Sequence, residues 1–320
     1  MSDFQQLIEF IRKEVNRGLK NISIPEKPNY LYDPIRYSIR AKGKRFRPIL
    51  VHLVGRAYKV DPNELMSIAL SVELLHNFTL IHDDIMDNDD MRHGQETIHS
   101  KWDQSTAILA GDGIYTLAQI LLSSLPKKVK ELCKSFNYAT LEVCEGQALD
   151  KEFENDSSIT EDQYLEMVGK KTGALLSVST ILPAKYSDVS SLMIENYENF
   201  GYLLGKGFQI HDDLLEIFSG PEVMGKSLGS DILEGKQTIM VIKARSNYPK
   251  EWSSLLNNKT SQDKMEKIQN FFIEKGIKKD TINLANSFFN KAKRTLKDIK
   301  DVDCKELYEF VNLVENRNFL

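Results

Sequence analysis

The chain has 320 residues, 41% of them hydrophobic, and a formal net charge of -4 at pH 7. That is enough apolar content for a large core, and so small a net charge leaves no overall cationic footprint for nucleic acid. Cys133, Cys144 and Cys304 are an odd number at spacings that suit neither a zinc site nor a disulfide framework, so they read as buried free thiols in a reducing compartment.

In chain order, Phe4, Leu7, Ile8, Ile11 and Val15 recur at helical spacing, which predicts an opening helix over residues 4–20, closed by Pro25 and Pro28. The same stretch carries acids early, unlike the basic start and apolar core of a secretory leader. No apolar run comes near the ~18 to 20 residues that span a bilayer, so the expectation is a soluble, cytoplasmic protein without a membrane span. A second helix is expected from Tyr37, interrupted by KGKRFRPILV, where Pro48 suits a helix first turn. Asp61-Pro62 opens the next, from about Asn63 to a break near Gly94. RHGQETIHSKWD reads as a loop, and the alanines and glycines of TAILAGDGIYTLAQILL permit close helix packing.

Further helices are expected over 127–150, around VGKKTGALLSVS, and along YENFGYLLGKGFQIHDDLLEIF. GPEVMGKSLGSDILEGK, punctuated by glycine, reads as a loop, and the chain beyond about residue 250 as charged amphipathic helices packed on the outside. With no bounded strand-like alternation, tandem repeat or low-complexity linker, the reading is one all-α domain over residues 1–320.

Asp83, Asp84 and Asp87 share one face of a helix about one turn deep. Such a cluster is either a solvated acidic helix end or a set of oxygen ligands for hard ions such as Mg²⁺, which keep positions for substrate phosphates. The spacing recurs in QIHDDLLEI as Asp212, Asp213 and Glu216, again after an Ile-His pair. Two helices of a bundle can aim matching clusters at each other, and facing acid triads suit several Mg²⁺ ions with a heavily charged ligand such as a diphosphate. His76, seven residues before Asp83 and about two turns away, projects from the carboxylate face. KGKRFRP gathers Lys42, Lys44, Arg45 and Arg47, point charges and guanidinium forks able to clamp a phosphate. Lys170 and Lys171 precede Thr172 and Gly173, while Lys226 and Lys236 flank the glycine-rich loop. Basic sites that each lie beside a glycine suggest close approaches converging on an anion.

A GKRxRP segment, a first aspartate-rich motif, KTG and a second aspartate-rich motif, in that order from Gly43 to Thr238, resemble the trans-isoprenyl diphosphate synthases, the head-to-tail prenyltransferases. The resemblance implies an isoprenoid-synthase helical bundle around a deep cavity, usually a homodimer, with three Mg²⁺ ions between the two motifs. It implies metal binding by Asp83, Asp84, Asp87, Asp212, Asp213 and Glu216, the last standing where the family commonly has aspartate. It gives isopentenyl diphosphate to Lys44, Arg47 and His76, and the allylic diphosphate and its cation to Arg92, Lys171, Thr172, Gln209, Lys226 and Lys236. The implied reaction is Mg²⁺-assisted ionisation of an allylic diphosphate (dimethylallyl, geranyl or farnesyl), attack by the double bond of isopentenyl diphosphate, and proton loss. The family's usual Arg-Arg-Gly is Arg92-His93-Gly94 here. A histidine has no fork and is ionisable near neutrality, so isopentenyl diphosphate binding through His93 is expected to be weaker or pH dependent.

Product length in the family is set just before the first acid motif, here at Phe78 and Thr79, with Leu75 one turn deeper. A lone aromatic five residues before Asp83 resembles the archaeal-type geranylgeranyl (C20) synthases, with farnesyl as the alternative. Glu73-x-x-His76 and Glu96-x-x-His99 also fit the Glu-x-x-His pattern of di-iron bundles, a rival that leaves both aspartate clusters and the basic segments idle. A non-catalytic synthase subunit would usually have lost an acid motif, and a terpene cyclase would not need the second diphosphate site implied by Lys44, Arg47 and His76.

Overall fold

Side-chain capping sets several of the helix boundaries in the computed structural model, which describes residues 2–41, 43–92, 94–219, 232, 235–256 and 264–316. Helix α1 (Asp3–Asn21) starts in a capping box between Ser2 and Gln5. After α2 (Asn29–Ile39) and α3 (Phe46–Ala57), helix α4 (Pro62–Asp87) begins where Asp61 accepts from the amides of Asn63 and Glu64, with Pro62 in the first turn. It ends at Asn88, which turns left-handed at φ 53, short of the expected break at Gly94. A hairpin of β1 (Met91–Arg92) and β2 (Gln95–Glu96) follows, Met91 facing Glu96, then α5 (Ile98–Lys101). Next come α6 (Gln104–Ser123), α7 (Val129–Phe153), α8 (Glu161–Val168), a π-helical turn (Gly169–Gly173), α9 (Ala174–Tyr186) and α10 (Ser191–Phe218). Then follow α11 (Ile239–Asn247), α12 (Pro249–Leu256), α13 (Lys264–Glu274), α14 (Ile277–Thr295) and α15 (Lys305–Glu315).

Among the described residues the fold is all-α apart from that hairpin, and α4 and α10 are its centre. Helix α4 packs along α3, α6 and α9, while α10 packs between α9 and α14. The π-helical turn is approached closely on two sides. A Cβ on Gly146 of α7 would lie 2.2 Å from the Lys171 backbone, and one on Gly205 of α10 would lie 2.4 Å from Gly173.

Four further expectations are corrected. Helix α2 starts at Asn29, well before Tyr37, because Pro34 is accommodated inside it: the backbone bond it forgoes is to the exposed Tyr30. Helix α14 is not an outer layer, since Phe288 and Phe289 bury it against the core beside α10. Cys144 is exposed, because α7 turns Phe136, Ala139, Thr140, Val143 and Gln147 inward and Cys144 falls off that face. Lastly, α4 and α6 are each long and apolar enough, by length and composition, to cross a membrane. For α4 the cause is its central place, since a helix packed on several sides is apolar around most of its circumference.

Candidate active site

One cavity of about 980 Å³ opens among α2, α3, α4, the hairpin and α7 to α10. Asp83, Asp84 and Asp87 line it from α4, and Asp212, Asp213 and Glu216 line it from α10. Lys44, Arg47, His76, Arg92, Lys171, Thr172, Gln209 and Lys236 share the same walls, so residues scattered from 44 to 236 converge on one space. His93 and Lys226, like Lys42, lie outside the described residues.

Cations are interleaved with the first acid cluster. Arg92 Nε donates to Asp84, and its Nη2 to Asp89 at 3.2 Å. Lys171 Nζ lies 2.7 Å from Asp150 and 4.0 Å from Asp83. Lys151 reaches one oxygen of Asp87 and Lys236 the other, each at 3.2 Å. Burial pushes Asp83 above the usual carboxylate range, and Lys171 only partly opposes it. Burial pushes Asp87 up as well, but Lys236 and Lys171 outweigh it and the group ends below its ordinary value. Lys171 is itself held above the usual lysine range, since Asp83 and Asp150 overcome the effect of burial.

The π-helical turn explains how Lys171 and Thr172 both reach the cavity. An inserted residue in the helical ladder re-aims the side chains that follow, and the Thr172 hydroxyl donates to Gln209 Oε1 at 2.9 Å, joining this turn to α10.

At the other end, Arg47 Nη1 lies 3.0 Å from His76 Nε2. A guanidinium offers only donors, so Nε2 accepts and the ring proton sits on Nδ1. Burial lowers Arg47 to about 10, against the pull of Glu73 and Asp212. Arg45, expected in the phosphate clamp, instead turns inward. It adopts φ 55 and donates to Glu73, Asn16 and the Ala41 carbonyl, so it anchors the segment that presents Lys44 and Arg47. That buried pair also removes Glu73 from any di-iron site, and Glu96 lies on the hairpin and not on a facing helix.

Phe78 and Thr79 line the cavity. The Phe78 ring centroid is 4.6 Å from that of His82 and 5.3 Å from that of Tyr115, which in turn stacks on Phe136. Leu75 is wholly buried in the core and is not among the described lining residues.

Among the described residues no three acids or histidines converge on a single point. Hard carboxylate oxygens on both walls nevertheless fit Mg²⁺, an ion bound through a few carboxylates and completed by substrate phosphate oxygens, not by an all-protein cage. The motifs did not pick out Asp150, Lys151 and Tyr164. The first two were findable as an acid-base pair at the end of the expected 127–150 helix, whereas a lone tyrosine carries no such signal.

The chain is similar to known proteins in sequence and in fold. Residues 28–274 match the polyprenyl synthetase family model. The chain is 42% identical over 242 residues to a geranylgeranyl pyrophosphate synthase of Geoglobus acetivorans, covering 75% of this chain and 76% of the relative. It is 42% identical over 221 residues to a geranylgeranyl diphosphate synthase of Methanosarcina mazei, covering 68% of each. A solved geranylgeranyl pyrophosphate synthase superposes with a TM-score of 0.89 at 34% identity, over 98% of this chain and 99% of that one.

Proposed function

The chain belongs to the polyprenyl synthetase family, and from that premise we propose that this prenyltransferase condenses isopentenyl diphosphate with allylic diphosphates up to geranylgeranyl diphosphate. The observation that carries the reading is the meeting of both acid clusters and both sets of basic residues in one cavity. Asp83, Asp84 and Asp87 on one wall and Asp212, Asp213 and Glu216 on the other would hold Mg²⁺, three ions in this reading. Bound there, Mg²⁺ supplies Lewis-acid charge that makes the diphosphate a better leaving group. Arg92, Lys171 and Lys236 take up the remaining negative charge as it develops. The Thr172 hydroxyl and the Gln209 amide place fixed dipoles beside the allylic cation, and Val143, Met167, Val168 and Leu175 keep its surroundings apolar and dry.

Lys44, Arg47 and His76 orient isopentenyl diphosphate so that its double bond attacks, and the departing diphosphate takes the proton lost from the adduct. Phe78, backed by His82 and Tyr115, is the floor that stops growth at C20. The chain acts as one domain, supported by a continuous core from Ile8 to Val314. It pairs as a homodimer through α6 and α7, whose Ile108, Leu109, Ile120, Tyr138 and Leu141 are exposed. We place it in the cytoplasm, in keeping with three free cysteines.

The test is incubation with labelled isopentenyl diphosphate, Mg²⁺ and each of dimethylallyl, geranyl and farnesyl diphosphate, followed by sizing of the products. A common C20 end product supports the reading. A C15 end product moves the floor, and no incorporation with any starter defeats it.

A further inference from the structure

Tyr164 lies on α8, outside every motif, and is 2% exposed. Its hydroxyl donates to Asp213 Oδ2 at 2.6 Å. The other oxygen of that carboxylate, Oδ1, accepts from Gln209 Nε2 at 3.0 Å. The orientation of Gln209 is set in turn, because the Thr172 hydroxyl donates to its Oε1 and leaves the amide nitrogen facing Asp213. Asp213, 5% exposed, is thus gripped through both oxygens by donors from α8 and α10, whereas Asp212 beside it is only half-buried on the cavity wall.

We propose that Tyr164 is a positioning residue for the prenyl transfer: it pins Asp213 as the anchor of the second acid cluster and so sets where Asp212 presents its carboxylate to the metal–diphosphate. The bond joins α8, which leads into the π-helical turn carrying Lys171 and Thr172, to the cluster on α10. One hydroxyl therefore ties the two elements that must grip the allylic diphosphate together. Groups that orient a metal's carboxylates from behind typically change metal affinity by about 10- to 100-fold when removed.

The inference rests on the reading that the α10 cluster holds a metal–diphosphate, and the experiment separates the two. Mn²⁺ is titrated by electron paramagnetic resonance in the presence of inorganic pyrophosphate for the full-length protein, Asp212→Asn and Tyr164→Phe. Steady-state kinetics and thermal unfolding are measured on the same preparations. The expected result is saturable Mn²⁺ binding by the unsubstituted protein, with fewer ions bound by Asp212→Asn because the α4 cluster keeps its own, and binding at the α10 cluster weakened about tenfold in Tyr164→Phe. The Tyr164→Phe enzyme should show a matching rise in KM for the allylic diphosphate, an unchanged KM for isopentenyl diphosphate and a Tm within a few degrees of the parent. If Mn²⁺ does not bind the parent with pyrophosphate, or binds Asp212→Asn equally well, the functional reading falls and the inference with it. If parent and Asp212→Asn behave as expected but Tyr164→Phe binds Mn²⁺ like the parent, the inference alone is wrong, whatever its Tm. A Tyr164→Phe defect spread equally over both substrates would also overturn it.

Discussion

Asp84 and Asp213 hold the same place in two copies of one motif, and both are 5% exposed, yet different chemistry holds them. Asp84 accepts from the Arg92 guanidinium. Asp213 accepts from a phenol and an amide. A guanidinium compensates charge and leaves with its charge when a diphosphate competes for it, whereas neutral donors fix geometry and stay put. Around Asp84 the contrast widens, since burial drives the neighbouring Asp83 upward against Lys171, while Lys236 and Lys171 outweigh burial at Asp87 and hold it down. Equal spacing in the sequence thus specifies equal carboxylate placement and nothing about the surroundings.

Removing the cation is the sharpest way to break this contrast. Arg92→Gln keeps a hydrogen-bonding side chain but no charge, and kcat/KM for the allylic substrate should fall about 100- to 1,000-fold with the circular dichroism unchanged. A fall under about tenfold would make Arg92 no more than another neutral positioning donor. Phe78→Ala provides a control that touches neither cluster. Opening the floor should shift products beyond C20 while KM for isopentenyl diphosphate stays within about twofold, as sized chromatographically and measured by initial rates. Unchanged product lengths in an active variant would place the floor elsewhere.

His52 is a control farther still from the chemistry. Burial, reinforced by Arg56, lowers its pKa to about 4, so the folded protein keeps it neutral while the unfolded chain takes a proton near 6.5. The resulting stability is complete above about pH 6.5 and is lost as the pH falls through the folded value. Between pH 7 and pH 5 the parent should lose about 2 kcal/mol more than His52→Gln in urea unfolding. Parallel losses in the two proteins would mean that His52 titrates alike in both states.

The acid motifs were legible because their spacing is local: three or four residues on a helix decide which side chains share a face. Lys44, Arg47, His76, Lys171 and Lys236 were readable through the resemblance, and the cavity gathers all five. Arg45 was not, since only the left-handed backbone at that residue turns its guanidinium toward Glu73 and away from the segment's other charges. Tyr164 and Asp150 meet their partners through tertiary packing of α8, α7 and the π-helical turn, contacts that no periodicity within one helix encodes. The apolar length of α4 and α6 was underestimated for a related reason: α4 carries its ionisable residues in a few places, and most of its length serves a surrounding core.

The central claim is that the two clusters act on one diphosphate. Its most direct test is the rate of isopentenyl diphosphate incorporation with farnesyl diphosphate in saturating Mg²⁺ for Asp83→Asn, Asp212→Asn and the double variant. Residues serving one ligand are not additive. Each single variant should therefore retain less than about a tenth of the parent rate, and the double variant should be no slower than the worse single by more than about threefold. Losses that multiply in the double variant, or a single variant that keeps more than about a tenth of the activity, would contradict a shared site.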